Sequence, residues 1–157
     1  MVNEIVEYGL VALLVVLLII AMVSDLRHRI IENWLTLLIA CLAPLYWWAT
    51  AMPIWPEMAL QLGIGLGTFL FFMIFFALGQ FGGGDLKLLG ALALWLPFFA
   101  LINTLFIMAI LGGVLTIITY IIHKRAKKEG AVETPYGIAI AVAALFSIYE
   151  RYFNHFT

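Results

Sequence analysis

The sequence predicts an all-α polytopic membrane protein, a bundle of six transmembrane helices with both termini on the outer side. Three observations carry that reading. The chain of 157 residues is 66% hydrophobic and only 11% charged, with a mean hydropathy of +1.13, whereas a soluble domain is about half apolar and a quarter charged. The apolar residues fall into runs near the roughly 20 residues that a helix needs to cross a bilayer core about 30 Å thick. The few basic residues gather between alternate runs. Residues 1–157 therefore read as one membrane-embedded domain with no room for a separate soluble one.

The first span is expected at 5–24. Glu4 and Glu7 stand where a signal peptide would be basic, and no small-residue cleavage site precedes Asp25, so this run reads as a retained span. The second span, 34–52, is stopped by Pro53 and Pro56 around Trp55, and the third covers 58–79. From Leu88 to His123 there is no charge, which is too long for a single crossing. A turn near Pro97 to Asn103 divides that stretch into spans at 86–98 and 102–123. The sixth span is expected at 136–153, with Glu150 and Arg151 interrupting its end. Gly63 and Gly67 form a small-xxx-small pair, and Gly112-Gly113 sits in span five, where helices can approach closely. Tyr46, Trp47, Trp48 and Trp55 suit an outer interfacial belt. Cys41, the single cysteine, excludes an internal disulfide and a CxxC metal site, and is expected as a small buried hydrophobe.

Basic residues fix the expected orientation. Arg27 and Arg29 lie between spans one and two, and Lys87 follows the connection from three to four. Lys124, Arg125, Lys127 and Lys128 lie between five and six, with only Arg151 on the other side. The positive-inside rule then puts these connections in the cytoplasm and both termini outside. Two crossings separate Asp25 from Asp85, so both acids reach the same cytoplasmic face.

Those two aspartates are the candidate catalytic residues. Asp25 opens the polar island Asp25-Leu26-Arg27-His28-Arg29-Ile30-Ile31-Glu32-Asn33, and Asp85 closes the run Gly82-Gly83-Gly84. A carboxylate at the edge of a bilayer is costly unless paired or wet, which makes it a functional hypothesis. Two that meet can hydrolyse an amide: one, protonated, polarises the scissile carbonyl, and the other, ionised, takes a proton from water. They titrate as a unit because like charges a few ångströms apart cannot both ionise cheaply. Glycines 82–84 would let a substrate backbone approach and would permit angles that side chains forbid. A helix from Leu86 onward would aim its amides at Asp85 and favour the ionised form. Lys87, on another face of that helix, reads as an interfacial anchor.

Each piece has a plainer reading. An aspartate before Arg-His-Arg is more often a solvated helix end, and a lone Gly-Gly-Gly-Asp more often a flexible loop. His28, His123 and His155 fit solvated positions at the headgroups. No spacing of His, Cys and carboxylates suggests a metal, no cofactor is expected, and no basic patch with interleaved aromatics suggests nucleic acid.

Taken jointly, the motifs resemble the type IV prepilin peptidases, G-x-G-D intramembrane aspartyl proteases, and specifically their short Flp/Tad-type branch. The family's D-x-R-x-x-x-I-P-N is matched by Asp25, Arg27, Ile31, Glu32 and Asn33. Its G-x-G-D-x-K is matched by Gly82, Gly84, Asp85 and Lys87, and its P-Y-G by Pro135-Tyr136-Gly137. The resemblance spans nearly the whole chain. It implies that Asp25 and Asp85 are catalytic, that Gly82 and Gly84 shape the loop beside Gly83, and that Asn33 and Tyr136 support the site. Glu32 departs from the family proline, which removes a backbone constraint and adds a third acid.

The resemblance also implies a substrate, a prepilin or pseudopilin precursor cut at the cytoplasmic face of the cell membrane between a basic leader and its hydrophobic helix. Larger relatives carry a cytoplasmic domain with paired CxxC motifs and methylate the new terminus. This chain, with one cysteine and no long insertion, is expected to have no methyltransferase activity and no zinc. Three other readings compete. A presenilin-like protease would need Tyr-Asp and Pro-Ala-Leu motifs, but Ser24 precedes Asp25 and no Pro-Ala-Leu occurs. A proton-coupled transporter would need polar residues through its spans, where only Asn103, Thr68 and Thr116 stand out. A catalytically silent pilus-assembly scaffold would not need both acids inside matching motifs.

Overall fold

A computed structural model describes residues 2–125 and 134–154. Among them there is no strand; six α-helices follow one another as α1 (Val2–His28), α2 (Asn33–Ala49), α3 (Ala59–Ala77), α4 (Gly83–Leu92), α5 (Phe98–Arg125) and α6 (Tyr136–Tyr149). A kinked segment, Ile54–Met58, with Trp55 in extended conformation (φ −130°, ψ 131°), leads into α3, and a π-helical turn, Glu150–Asn154, extends α6. Lys127, Lys128 and His155, used above for orientation or as headgroup residues, lie outside the described residues.

Three helical stretches are long and apolar enough to cross a membrane: Asn3–His28, Ile54–Ala77 and Phe98–Arg125. α2 is apolar but shorter, at 17 residues. The largest departure from expectation is α4. It begins at Gly83 rather than Leu86 and stops at Leu92, not at 98. Ten residues rise only about 15 Å, half of a bilayer core. A helix ending inside apolar surroundings leaves carbonyls that need donors, and here neighbours supply them. Buried Gln61 of α3 donates Nε2–H to the carbonyls of Ala93 (2.7 Å) and Leu96 (2.8 Å). Trp47 of α2 donates Nε1–H to Leu94 O at 2.8 Å. Trp95 answers with a bond to Ile39 O at 2.9 Å.

Burial follows from that arrangement. The tightest core is Leu14 and Leu18 of α1, Leu35 and Ile39 of α2, Leu88, Leu89 and Leu92 of α4, and Ile140 of α6. α3 and α5 lie at the periphery. They bury few residues and turn Leu66, Phe71, Ile74, Phe106, Ile110 and Ile117 outward. An exterior of large apolar side chains suits lipid, not water.

Side-chain bonds define two ends of the bundle. At one, Tyr152 donates to Glu7 (2.8 Å) and shares a bond with Tyr46 (3.0 Å), joining the start of α1, the end of α2 and the segment after α6. At the other lie the end of α1, the starts of α2, α4 and α6, and the end of α3. Both aspartates are there.

Several packing expectations are corrected. Gly63 and Gly67 have open space where a Cβ would go; Gly65, between them, is the close approach, against the Leu94 side chain of the α4–α5 turn. In span five only Gly112 is tight, because the Tyr136 ring lies 2.6 Å from where its Cβ would be, while Gly113 is open. Tyr46 and Trp47 are core residues, Tyr46 stacking on Trp95 at 5.0 Å, so only Trp48 and Trp55 of the expected belt face outward. Cys41 is exposed on the bundle's surface rather than buried.

Candidate active site

Asp25 lies in the last turn of α1, and the chain leaves the helix just beyond it. Arg29 takes a left-handed φ of 57° while its N–H donates to Asp25 O at 2.9 Å, a common way to end a helix. Ser24 Oγ then bonds Ile30 O at 2.7 Å, pinning the turn. This brings Ile31 against α4, where a Cβ on Gly84 would lie 3.0 Å from the Ile31 Cβ.

Asp85 sits in the first turn of α4, whose cap is Gly82. Gly82 has φ −72°, and Gly79 is the one described glycine with a positive φ. The Gly82–Gly84 run is therefore required for space and not for unusual angles, which corrects half of the expectation above. A Cβ at Gly82 would meet Asp85 Oδ2 at 2.6 Å, and one at Gly83 would meet the Phe76 ring at 3.2 Å. Gly82 thus faces Asp85 of its own helix, Gly83 faces α3, and Gly84 faces the turn after α1.

The aspartates share a cavity of about 210 Å³ lined by Asp25, Arg29, Ile30, Ile31 and Gly82 to Asp85. An adjoining space of about 390 Å³ again includes both acids, together with Gln80, Phe81, Thr134 and Tyr136. Asp25 is only 5% exposed, despite its charge. Asp85 lies partly buried beside it. The amides that matter belong to another helix. Ile138, in the first turn of α6, donates its N–H to Asp25 Oδ2 at 3.3 Å, with the Gly137 N–H beside it.

Of the supporting residues expected from the motifs, Tyr136 lines the cleft. Its ring lies 5.9 Å from Phe81 and its hydroxyl 3.4 Å from Thr116 Oγ1. Asn33 and Lys87 do not reach it. Lys87 Nζ donates to Asn33 Oδ1 at 2.7 Å, and the pair stands at a separate apolar groove of about 510 Å³ between α2, α3 and α4. Glu32 is also turned away, accepting a bond from Trp34 Nε1. Its φ of −68° is the value a proline ring would impose, so the departure from the motif leaves the backbone path intact. Arg29 and the α6 amides escaped notice in the sequence. Arg29 looked like one basic residue among several, and backbone amides have no sequence signal beyond the helix start.

Apolar helices of membrane length around one buried and one partly buried carboxyl define a membrane protein with a candidate hydrolytic site. The chain belongs to the type IV leader peptidase family, whose model matches residues 12–117. That range contains Asp25 and Asp85 but stops before α6. No curated protein and no solved structure matches the chain significantly.

Proposed function

We propose that the chain is an intramembrane aspartic endopeptidase that removes the leader from Flp-like type IV prepilins or pseudopilins at the cytoplasmic face of the cell membrane. The observation that carries this reading is the shared cavity of Asp25 and Asp85, in a chain of the leader peptidase family. One carboxylate takes a proton from water as its oxygen attacks the scissile carbonyl carbon, and the protonated partner gives its proton to the carbonyl oxygen. The resulting diol collapses when the first acid protonates the leaving nitrogen and the second recovers a proton from a diol hydroxyl. Gly82, Gly83 and Gly84 form the wall past which a substrate backbone can come close, and Tyr136 closes the opposite side.

Residues 1–157 act as a single domain with six crossings and both termini outside. α2 and α4 cross together with the turns that follow them, and α6 with the π-helical stretch that extends it. Methyl transfer is not part of the activity, since the chain has no insertion to hold a second site. The test is co-expression with a candidate prepilin, reading leader removal by gel shift. Asp25→Ala and Asp85→Ala each abolish cleavage while the protein remains membrane-inserted; continued cleavage in either variant removes that residue from the mechanism.

A further inference from the structure

The two acids look equivalent in the mechanism, but their surroundings differ. Asp25 lies against the first turn of α6, where helix amides have no partner of their own. Ile138 N–H reaches Oδ2 at 3.3 Å. That approach depends on what is missing at residue 137. A Cβ on Gly137 would sit 2.8 Å from Asp25 Oδ2, 2.9 Å from its Cγ and 2.7 Å from Ile31 Cδ1. The helix is also held from behind, because the Tyr136 ring fills the space left by Gly112 on α5. Asp85 accepts no comparable amide from a neighbouring helix among the described residues. It has its own first turn and the close wall of Gly82.

We propose that α6 makes the pair asymmetric: its leading amides hold the negative charge on Asp25 and leave the shared proton on Asp85, with Gly137 as the positioning residue that lets them reach it. Resting on the peptidase reading, this assigns roles. Asp25 is the base that takes the water proton and later protonates the leaving nitrogen. Asp85 is the acid that protonates the carbonyl oxygen. Hydrogen bonds to the charged form of a carboxylate favour that form, and here they act against the burial of Asp25. The charged and titratable groups facing Asp25 are Arg29 from the turn after α1, Asp85 from α4 and Tyr136 from α6; Glu32, before α2, is engaged with Trp34. Arg29 adds to the bias. The α6 segment lies beyond the range matched by the family model.

The chain contains only two aspartates, which gives an unusually clean test. Selective ¹³Cγ-aspartate labelling of the full-length protein in nanodiscs yields two carboxyl resonances, assigned by the one that Asp85→Asn removes. The Asp25 resonance completes its ionisation about one pH unit or more below that of Asp85. In Gly137→Ala the gap narrows. Prepilin cleavage by that variant loses about tenfold or more in kcat with KM little changed, and the acidic limb of its pH profile moves upward. Ile31→Val in the same chain, which removes the other clash, does not restore the rate. Asp85 ionising first in the wild-type chain overturns the proposal, even if Gly137→Ala fails to fold. A Gly137→Ala enzyme with an unchanged profile, or one rescued by Ile31→Val, overturns it too. None of these outcomes touches the peptidase reading, which stands or falls on cleavage by Asp25→Ala and Asp85→Ala.

Discussion

At the scale of single residues, the site is governed by how much water each carboxyl has lost. Two carboxyls in one cleft titrate as a pair. Cleavage needs one of them protonated and the other ionised, so the rate falls toward both acid and alkaline pH, measurable as leader removal across a pH series. Glu32 gives a second prediction. With φ already at −68°, Glu32→Pro fits the native backbone and restricts the unfolded chain, raising stability by about 0.4–1 kcal/mol, as read by thermal unfolding in detergent. Asp25, Asp85 and the glycine run were legible in the sequence because carboxylates are rare in apolar surroundings. The role of Gly137 was not, since a missing Cβ acquires meaning only when the atoms of Asp25 and Ile31 that would occupy its place are known.

At the scale of elements, α4 is the informative one. Its hydrophobic run continues past Leu92 without interruption, and nothing in the residue types marks a stop at ten residues. The stop is set by tertiary partners, chiefly Gln61 and Trp47, which bind carbonyls at its end. Gln61→Leu leaves two buried carbonyls without that donor and lowers stability by about 2 kcal/mol, measured by denaturation in mixed micelles; an unchanged midpoint would contradict this role. α3 shows the opposite case. Gly63 lies in open space, so Gly63→Ala gains helix propensity, up to about 1 kcal/mol. Gly84→Ala, pressed against the Ile31 Cβ and backbone, loses stability in the same assay. A sequence spacing of four picked out Gly63 and Gly67, but which face of a uniformly apolar helix turns inward is decided by its neighbours.

At the scale of the whole molecule, parity along the chain foretold that both acids share one end, and the helix order agrees. Uniform apolarity also hid which helices are central. Composition could not distinguish the enclosed α4 and α6 from the lipid-facing α3 and α5, because both environments are oily. The polar residues considered for a transport path are engaged locally. Thr68 and Thr116 bond the carbonyls of Ile64 and Gly112 one turn back, and Asn103 bonds Glu150. Thr116 also lies 3.4 Å from the Tyr136 hydroxyl at the cleft, whereas Thr68 and Asn103 show no bond toward the aspartates among the described residues, which leaves the cleft as the polar interior worth testing. Its direct test is proximity in the membrane. In a Cys41→Ser background, Asp25→Cys with Asp85→Cys should be joined by the shortest bifunctional thiol reagent, within one chain and from one side of the membrane. Failure to crosslink in a folded, inserted protein, or labelling of the two positions from opposite sides, would contradict the shared cleft and the chemistry built on it.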